Sequence, residues 1–205
     1  MPRPLSPPRR KLLTHALSGA GAMSLLSLPS LSGAASPRSP ASGNASSGIK
    51  LPTGDVRDFD FLVGTWSIVN RRLKKRWVGS NDWDVFPSTA HCRSHMGGIV
   101  NIDEAVFPTK GWSGMTLRTF SVEKRQWSLY WINSRIGELL PPVVGGFTGD
   151  RGEFYGDDTD EGRPIKAVFQ WTRLGPDAAR WQQAFSLDGK TWETNWIMEH
   201  TRVKG

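Results

Sequence analysis

Arg180-Trp181-Gln182-Gln183-Ala184-Phe185-Ser186-Leu187 runs into Asp188-Gly189-Lys190, and then into Thr191-Trp192-Glu193-Thr194-Asn195-Trp196-Ile197-Met198-Glu199-His200. Apolar and polar residues alternate on both sides of the Asp-Gly pair, which is the period of a half-buried strand. Asp-Gly is also what a tight hairpin favours, because its central residues must reach positive φ. The stretch predicts two antiparallel strands joined by a short turn.

The same grammar recurs upstream. Predicted strands cover 61–73, 83–95, 99–107, 115–122, 126–133, 139–148, 152–156, 164–174, 180–187 and 191–203. They are parted by turn-forming stretches such as Gly97-Gly98, Pro108-Thr109-Lys110-Gly111, Gly149-Asp150-Arg151 and Gly175-Pro176-Asp177. No window carries a 3.6-residue apolar period. All ten tryptophans lie between Trp66 and Trp196, and rings of that size need a sizeable interior. About eight to ten sequential strands with hairpin-length links predict an all-β fold. A closed antiparallel up-and-down barrel is favoured, since closure removes exposed edges. A two-sheet sandwich is the alternative.

The 205-residue chain carries a formal charge of +7, from 26 basic and 19 acidic residues. That charge is unevenly placed. Arg3, Arg9, Arg10, Lys11, Arg38 and Lys50 stand in the first fifty residues with no acid among them, which leaves 20 basic against 19 acidic from Leu51 onward. A nucleic-acid binder needs cations facing the phosphates, and the body of the chain has no such excess. Residues 1–35 read as an export signal: Arg9-Arg10-Lys11-Leu12-Leu13, a mildly apolar stretch, then small residues up to Ala34 and Ala35. The paired arginines are twin-arginine-like. Residues 36–57 read as a flexible Ser/Pro/Gly-rich linker with little to bury, and 58–205 as the barrel domain. The protein is expected in the periplasm or outside the cell. No apolar run is long enough to span a membrane as a helix.

Phe61-Leu62-Val63-Gly64-Thr65-Trp66 opens the first strand with a Gly-x-Trp, and Thr201-Arg202 ends the last. This pairing resembles the lipocalin and calycin barrels, in which an early tryptophan at the barrel floor is covered by a late arginine. Together with Asn101-Ile102-Asp103-Glu104, Gln126-Trp127, Tyr130-Trp131 and Trp192-Glu193-Thr194-Asn195-Trp196, it also resembles an uncharacterised bacterial family with the same N-terminal motif. The likeness covers about residues 58 to 203. It implies a cup-shaped cavity and structural roles for Gly64, Trp66 and Arg202; it does not choose a ligand. Stacking of Arg202 on Trp66 is worth about 0.5–2 kcal/mol.

In a barrel alternate residues face inward. On the last strand the more apolar row is Trp192, Thr194, Trp196, Met198, His200 and Arg202. By the same test Trp181, Gln183, Phe185 and Leu187 point inward, as do Ala167, Phe169 and Trp171, and Trp127, Leu129, Trp131 and Asn133. The third strand offers Val100, Ile102, Glu104 and Val106. On the fourth, Met115 and Leu117 compete with Arg118 and Phe120, and composition leaves the choice open. A buried Glu104 would need a partner, and Arg118 is the nearest candidate.

An apolar hollow with a few convergent polar groups is the form of a small-molecule site. The first reading is an exported binding protein for an apolar or aromatic ligand. Trp127, Trp131, Trp171 and Trp196 would stack on it, while Arg118 and Gln183 orient its polar atoms. The second is a cofactor-independent lyase or isomerase in the same cavity, with Glu104 or His200 as general acid or base. The third is an envelope interaction protein whose barrel is filled by its own rings. His91 and His95 lie about 13 Å apart on an extended strand, too far to share a metal ion, and no cofactor is expected. Arg71-Arg72-Leu73-Lys74-Lys75-Arg76 reads as a solvated strand end. Single Cys92 permits no internal disulfide.

Overall fold

The structure, a computed structural model, describes residues 50–204. The export signal read over 1–35 lies outside the described residues, as does most of the linker read over 36–57. Ten strands follow one another: β1 (Gly64–Leu73), β2 (Trp83–His95), β3 (Val100–Phe107), β4 (Trp112–Ser121), β5 (Gln126–Asn133), β6 (Val143–Thr148), β7 (Arg151–Asp160), β8 (Arg163–Gly175), β9 (Ala178–Ser186) and β10 (Glu193–Arg202). Each pairs antiparallel with its sequence neighbour, and β10 returns to β1, so the sheet closes into an all-β up-and-down barrel. The alternation read from the sequence is the cause: one face of each strand is apolar enough to bury, and closure leaves no unpaired edge. Among the described residues no helix is long and apolar enough to cross a membrane.

The floor is aromatic. Phe59, just before a short 3-10 turn at Asp60–Leu62, sits edge-on to Trp127 at 5.0 Å and Phe147 at 5.3 Å. Pro52 to Arg57, inside the stretch read as linker, run along the barrel: Gly54 N donates to Arg125 O at 2.7 Å, and Trp127 Nε1 donates to Asp55 O at 3.0 Å. Trp66 is fully buried, and its indole N–H donates to Leu62 O at 2.7 Å. Arg202 pairs with Trp66 in register and stacks on its ring at 4.3 Å. The guanidinium also donates to Val63 O, Phe61 O and Pro176 O at 2.7, 2.6 and 3.1 Å.

Gly64 explains the Gly-x-Trp spacing. Its φ is +121°, and a Cβ there would lie 2.8 Å from Arg202 Nη1. The missing side chain is what admits the arginine. Arg202→Met should destabilise the barrel by about 2 kcal/mol, because three carbonyls lose a charged donor. Urea unfolding checks this, with an unchanged midpoint as the contrary result.

Three expectations about facing are corrected. On β3 the buried row is Asn101, Asp103, Ala105 and Phe107, while Glu104 and Val106 are exposed. The more apolar row was the wrong guide, because the polar members of the true inner row are satisfied by partners inside. On β10 a register shift between Thr194 and Trp196 flips the alternation. Trp192 therefore packs on the outside against Tyr155, ring centroids 6.0 Å apart, instead of pointing in. Leu187 falls just past the end of β9 and is exposed. The question open on β4 is answered: Arg118 and Phe120 are buried, and Met115 is exposed.

Candidate functional site

Above the floor lies a hollow of about 90 Å³ walled by Trp66, Trp131, Phe169, Trp171, Trp181 and Trp196, with Ala90 and Ala105 leaving space on β2 and β3. At about 10–15 Å³ for each water, it has room for several waters, or for the one or two rings that would displace them. Toward the opposite end it runs into a mouth of about 200 Å³, and the two share Leu129, Trp131, Phe169, Gln183 and Trp196. The mouth is widened where β5 and β6 pair through only Trp127 to Leu129 and Val143 to Gly145. Beyond that ladder Leu139 bridges Ile132 and Leu140 N donates to Trp131 O at 2.9 Å, and Leu140 and Pro141 line the mouth beside Trp131 and Asn133.

Local sequence fixes the rings. Trp131 lies over Gly114, where a Cβ would come within 2.2 Å of the indole. Trp196 Nε1 donates to Asn70 Oδ1 at 3.1 Å, and Asn70 Nδ2 donates to Ser88 Oγ at 2.7 Å. Fully buried Asn70 thus holds a tryptophan that would otherwise bury an unpaired donor. Gln183 Nε2 donates to Asn195 Oδ1 at 2.8 Å.

The polar centre is Arg118. It is buried, forms an ion pair with buried Asp103, and donates through Nη1 to Asn101 Oδ1 at 2.8 Å. The same oxygen accepts from Cys92 Sγ at 3.2 Å. Phe59 and Trp171 flank the guanidinium, with its carbon 5.0 and 5.9 Å from their ring centres. A charge so far from water needs this counterion. Among the described residues, Arg118 Nε and Trp171 Nε1 have no hydrogen-bond partner. Burial pushes the Cys92 thiol up to about 11, which keeps it protonated and poorly nucleophilic.

His200 is buried between Trp66 and Trp171, at ring distances of 6.0 and 5.1 Å. Its Nδ1 is 3.2 Å from Met198 O, so that nitrogen carries the proton. Burial holds its pKa down to about 4, and the charge on Arg118 adds to the effect.

The structure brings Arg118, Trp131, Trp171, Gln183, Trp196 and His200 to one hollow. It does not bring Glu104 there, because Glu104 faces away from the hollow. Trp127 belongs to the aromatic floor below the hollow, against Phe59 and Phe120. Asp103, Asn101 and Asn70 were missed, although the strict two-residue period from Phe107 backward marks the first two. His91 and His95 are exposed, and His91 bonds Thr65 and Arg93 instead of a neighbouring ligand set. Among the described residues no three metal-ligating side chains lie close enough to hold an ion.

No family model matches the chain, and no curated protein does. Among solved structures it is similar to a redesigned beta barrel at 12% identity and a TM-score of 0.42, covering 74% of this chain and 100% of that one. It is also similar to the S-type phycobiliprotein lyase CPES from Guillardia theta at 13% identity and a TM-score of 0.46. That match covers 72% of this chain and 91% of the lyase.

Proposed function

We propose that the protein is an exported carrier that holds a small aromatic or apolar molecule in the barrel. The observation that carries this reading is the hollow itself, walled by indoles that the chain's own side chains do not fill. Its floor holds two donors without partners, on Arg118 and Trp171. An unpaired buried donor costs about 1–3 kcal/mol, and a ligand oxygen reaching the floor would supply the acceptor. The ligand is thus planar, mostly apolar and tipped with a hydrogen-bond acceptor. The lyase or isomerase reading loses its proposed carboxylate, since Glu104 is outside and the carboxylate inside is held by Arg118. Export rests on the Arg9-Arg10 start and the small residues near Ala34.

Isothermal titration with 1-naphthol tests the reading. The wild-type chain should bind one equivalent. Ala105→Phe, which fills the hollow without changing charge, should weaken binding by about tenfold or more, equal to about 1.4 kcal/mol. No binding, or equal binding by a folded Ala105→Phe, would overturn it.

A further inference from the structure

Among the described residues, the mouth contains one arginine that no carboxylate pairs with. Arg72 is an inward position of β1, two residues on from buried Asn70, and lies opposite Trp196 in register. Its guanidinium carbon lies 4.7 Å above the Trp196 ring. Among the described residues it makes no hydrogen bond and no ion pair, while the groups around it are engaged. Arg76 grips Asp160 through two nitrogens, and Trp77 Nε1 takes a further place on that carboxylate at 2.7 Å. Lys110 holds Asp84 at 2.5 Å, and Arg135 donates to Lys110 O at 2.7 Å. Both acids whose charge reaches Arg72, Asp160 and Asp84, are therefore committed elsewhere.

A guanidinium held over an indole by its charge still has its N–H donors free, and they can fork a carboxylate or another oxyanion. Burial lowers the pKa of Arg72 from its ordinary value, with the positive charges of Arg76 and Arg135 adding to the effect and Asp160 and Asp84 opposing it, and an arriving anion would relieve the buried charge. Asp158 stands on another part of the mouth wall with its pKa raised by burial, and would repel an anion placed there. Trp196 and Gln183 border both the mouth and the hollow, so one molecule can touch both.

We propose that Arg72 anchors an oxyanion on the ligand whose aromatic part fills the hollow, which makes the cargo an aromatic acid whose ring end, carrying the acceptor for the floor donors, enters first. This deepens the carrier reading and rests on it. The test is calorimetric titration of the full chain with 1-naphthoate and with 1-naphthol, which share a ring system and differ in charge. Wild type should bind the naphthoate about tenfold or more tightly. Arg72→Gln should remove that preference and leave naphthol binding unchanged, and Arg72→Lys should keep part of it.

If Arg72→Gln does not fold, salt supplies the second arm. Raising ionic strength should weaken naphthoate but not naphthol binding to wild type. Equal affinity for the two probes in wild type, a preference that survives Arg72→Gln, or salt-insensitive naphthoate binding would overturn the role of Arg72 and leave the hollow as a site. Failure of both probes to bind would overturn the carrier reading and this inference with it.

Discussion

Asp103→Asn should destabilise the barrel by about 3–5 kcal/mol, the usual result of leaving a buried charge without its counterion. The substitution keeps the shape of the side chain, so little of the loss can come from a cavity. What changes is electrostatic: Arg118 stays inside the barrel, stacked between Phe59 and Trp171, with the neutral Asn101 amide as its remaining named partner. Thermal unfolding should show Tm falling by about 10 °C. Adding Arg118→Met to Asp103→Asn should recover much of the loss, since an apolar replacement for a buried pair is often neutral or better. Glu104→Gln, one residue along and outside, should stay within about 0.5 kcal/mol of wild type. A mild Asp103→Asn beside a damaging Glu104→Gln would show the inner row of β3 to be the other one.

The second large effect is a pH dependence. His200 is held neutral, with its pKa down to about 4 in the folded chain against the ordinary 6.5. Between those values the unfolded chain binds a proton at this residue that the folded chain refuses. Stability contributed by His200 is therefore complete above about pH 6.5 and is lost as the pH falls toward 4. The span corresponds to about 3 kcal/mol. Urea midpoints at pH 7.5 and pH 4.5 should differ more for wild type than for His200→Phe, which packs a ring between Trp66 and Trp171 without a titrating group. Equal pH sensitivity in the two proteins would show that His200 takes up its proton inside the fold at no penalty.

The barrel was legible because its signals are local and repeat. Period-two alternation found all ten strands, although β6 starts at Val143 instead of 139 and β7 runs on past 156 to Asp160. The Asp188-Gly189 pair falls in the link of the last hairpin. The Gly64 to Trp66 spacing with Arg202 marked the floor, and the structure shows the steric reason in the 2.8 Å approach at Gly64. Facing was harder wherever the inner row is polar. Choosing the more apolar row of β3 set Ile102 and Val106 against Asn101 and Asp103. A barrel tolerates exposed valine easily, however, and buries an aspartate once an arginine from β4 reaches it. That cross-strand rescue is invisible within a single strand. The bulge at Thr194 and Trp196 is likewise a property of the paired sheet, and it moved Trp192 outside.

Arg72 shows the converse case. A run of basic residues suggests a solvated strand end, but alternation from Trp66 and Ile68 places Arg72 inside. Its neighbour Arg71 points out toward Glu199, 3.9 Å away. Counting charges hides such a residue, and counting positions from a buried tryptophan finds it.

Diffraction from crystals of the protein soaked with 6-bromo-2-naphthol tests the central claim most directly, because bromine scatters anomalously and marks one spot. A ligand-holding barrel should give a bromine peak inside it, within the space bounded by Trp131, Trp171, Trp181 and Trp196. A peak confined to the outer surface, with those four rings closed against one another across the interior, would contradict that claim.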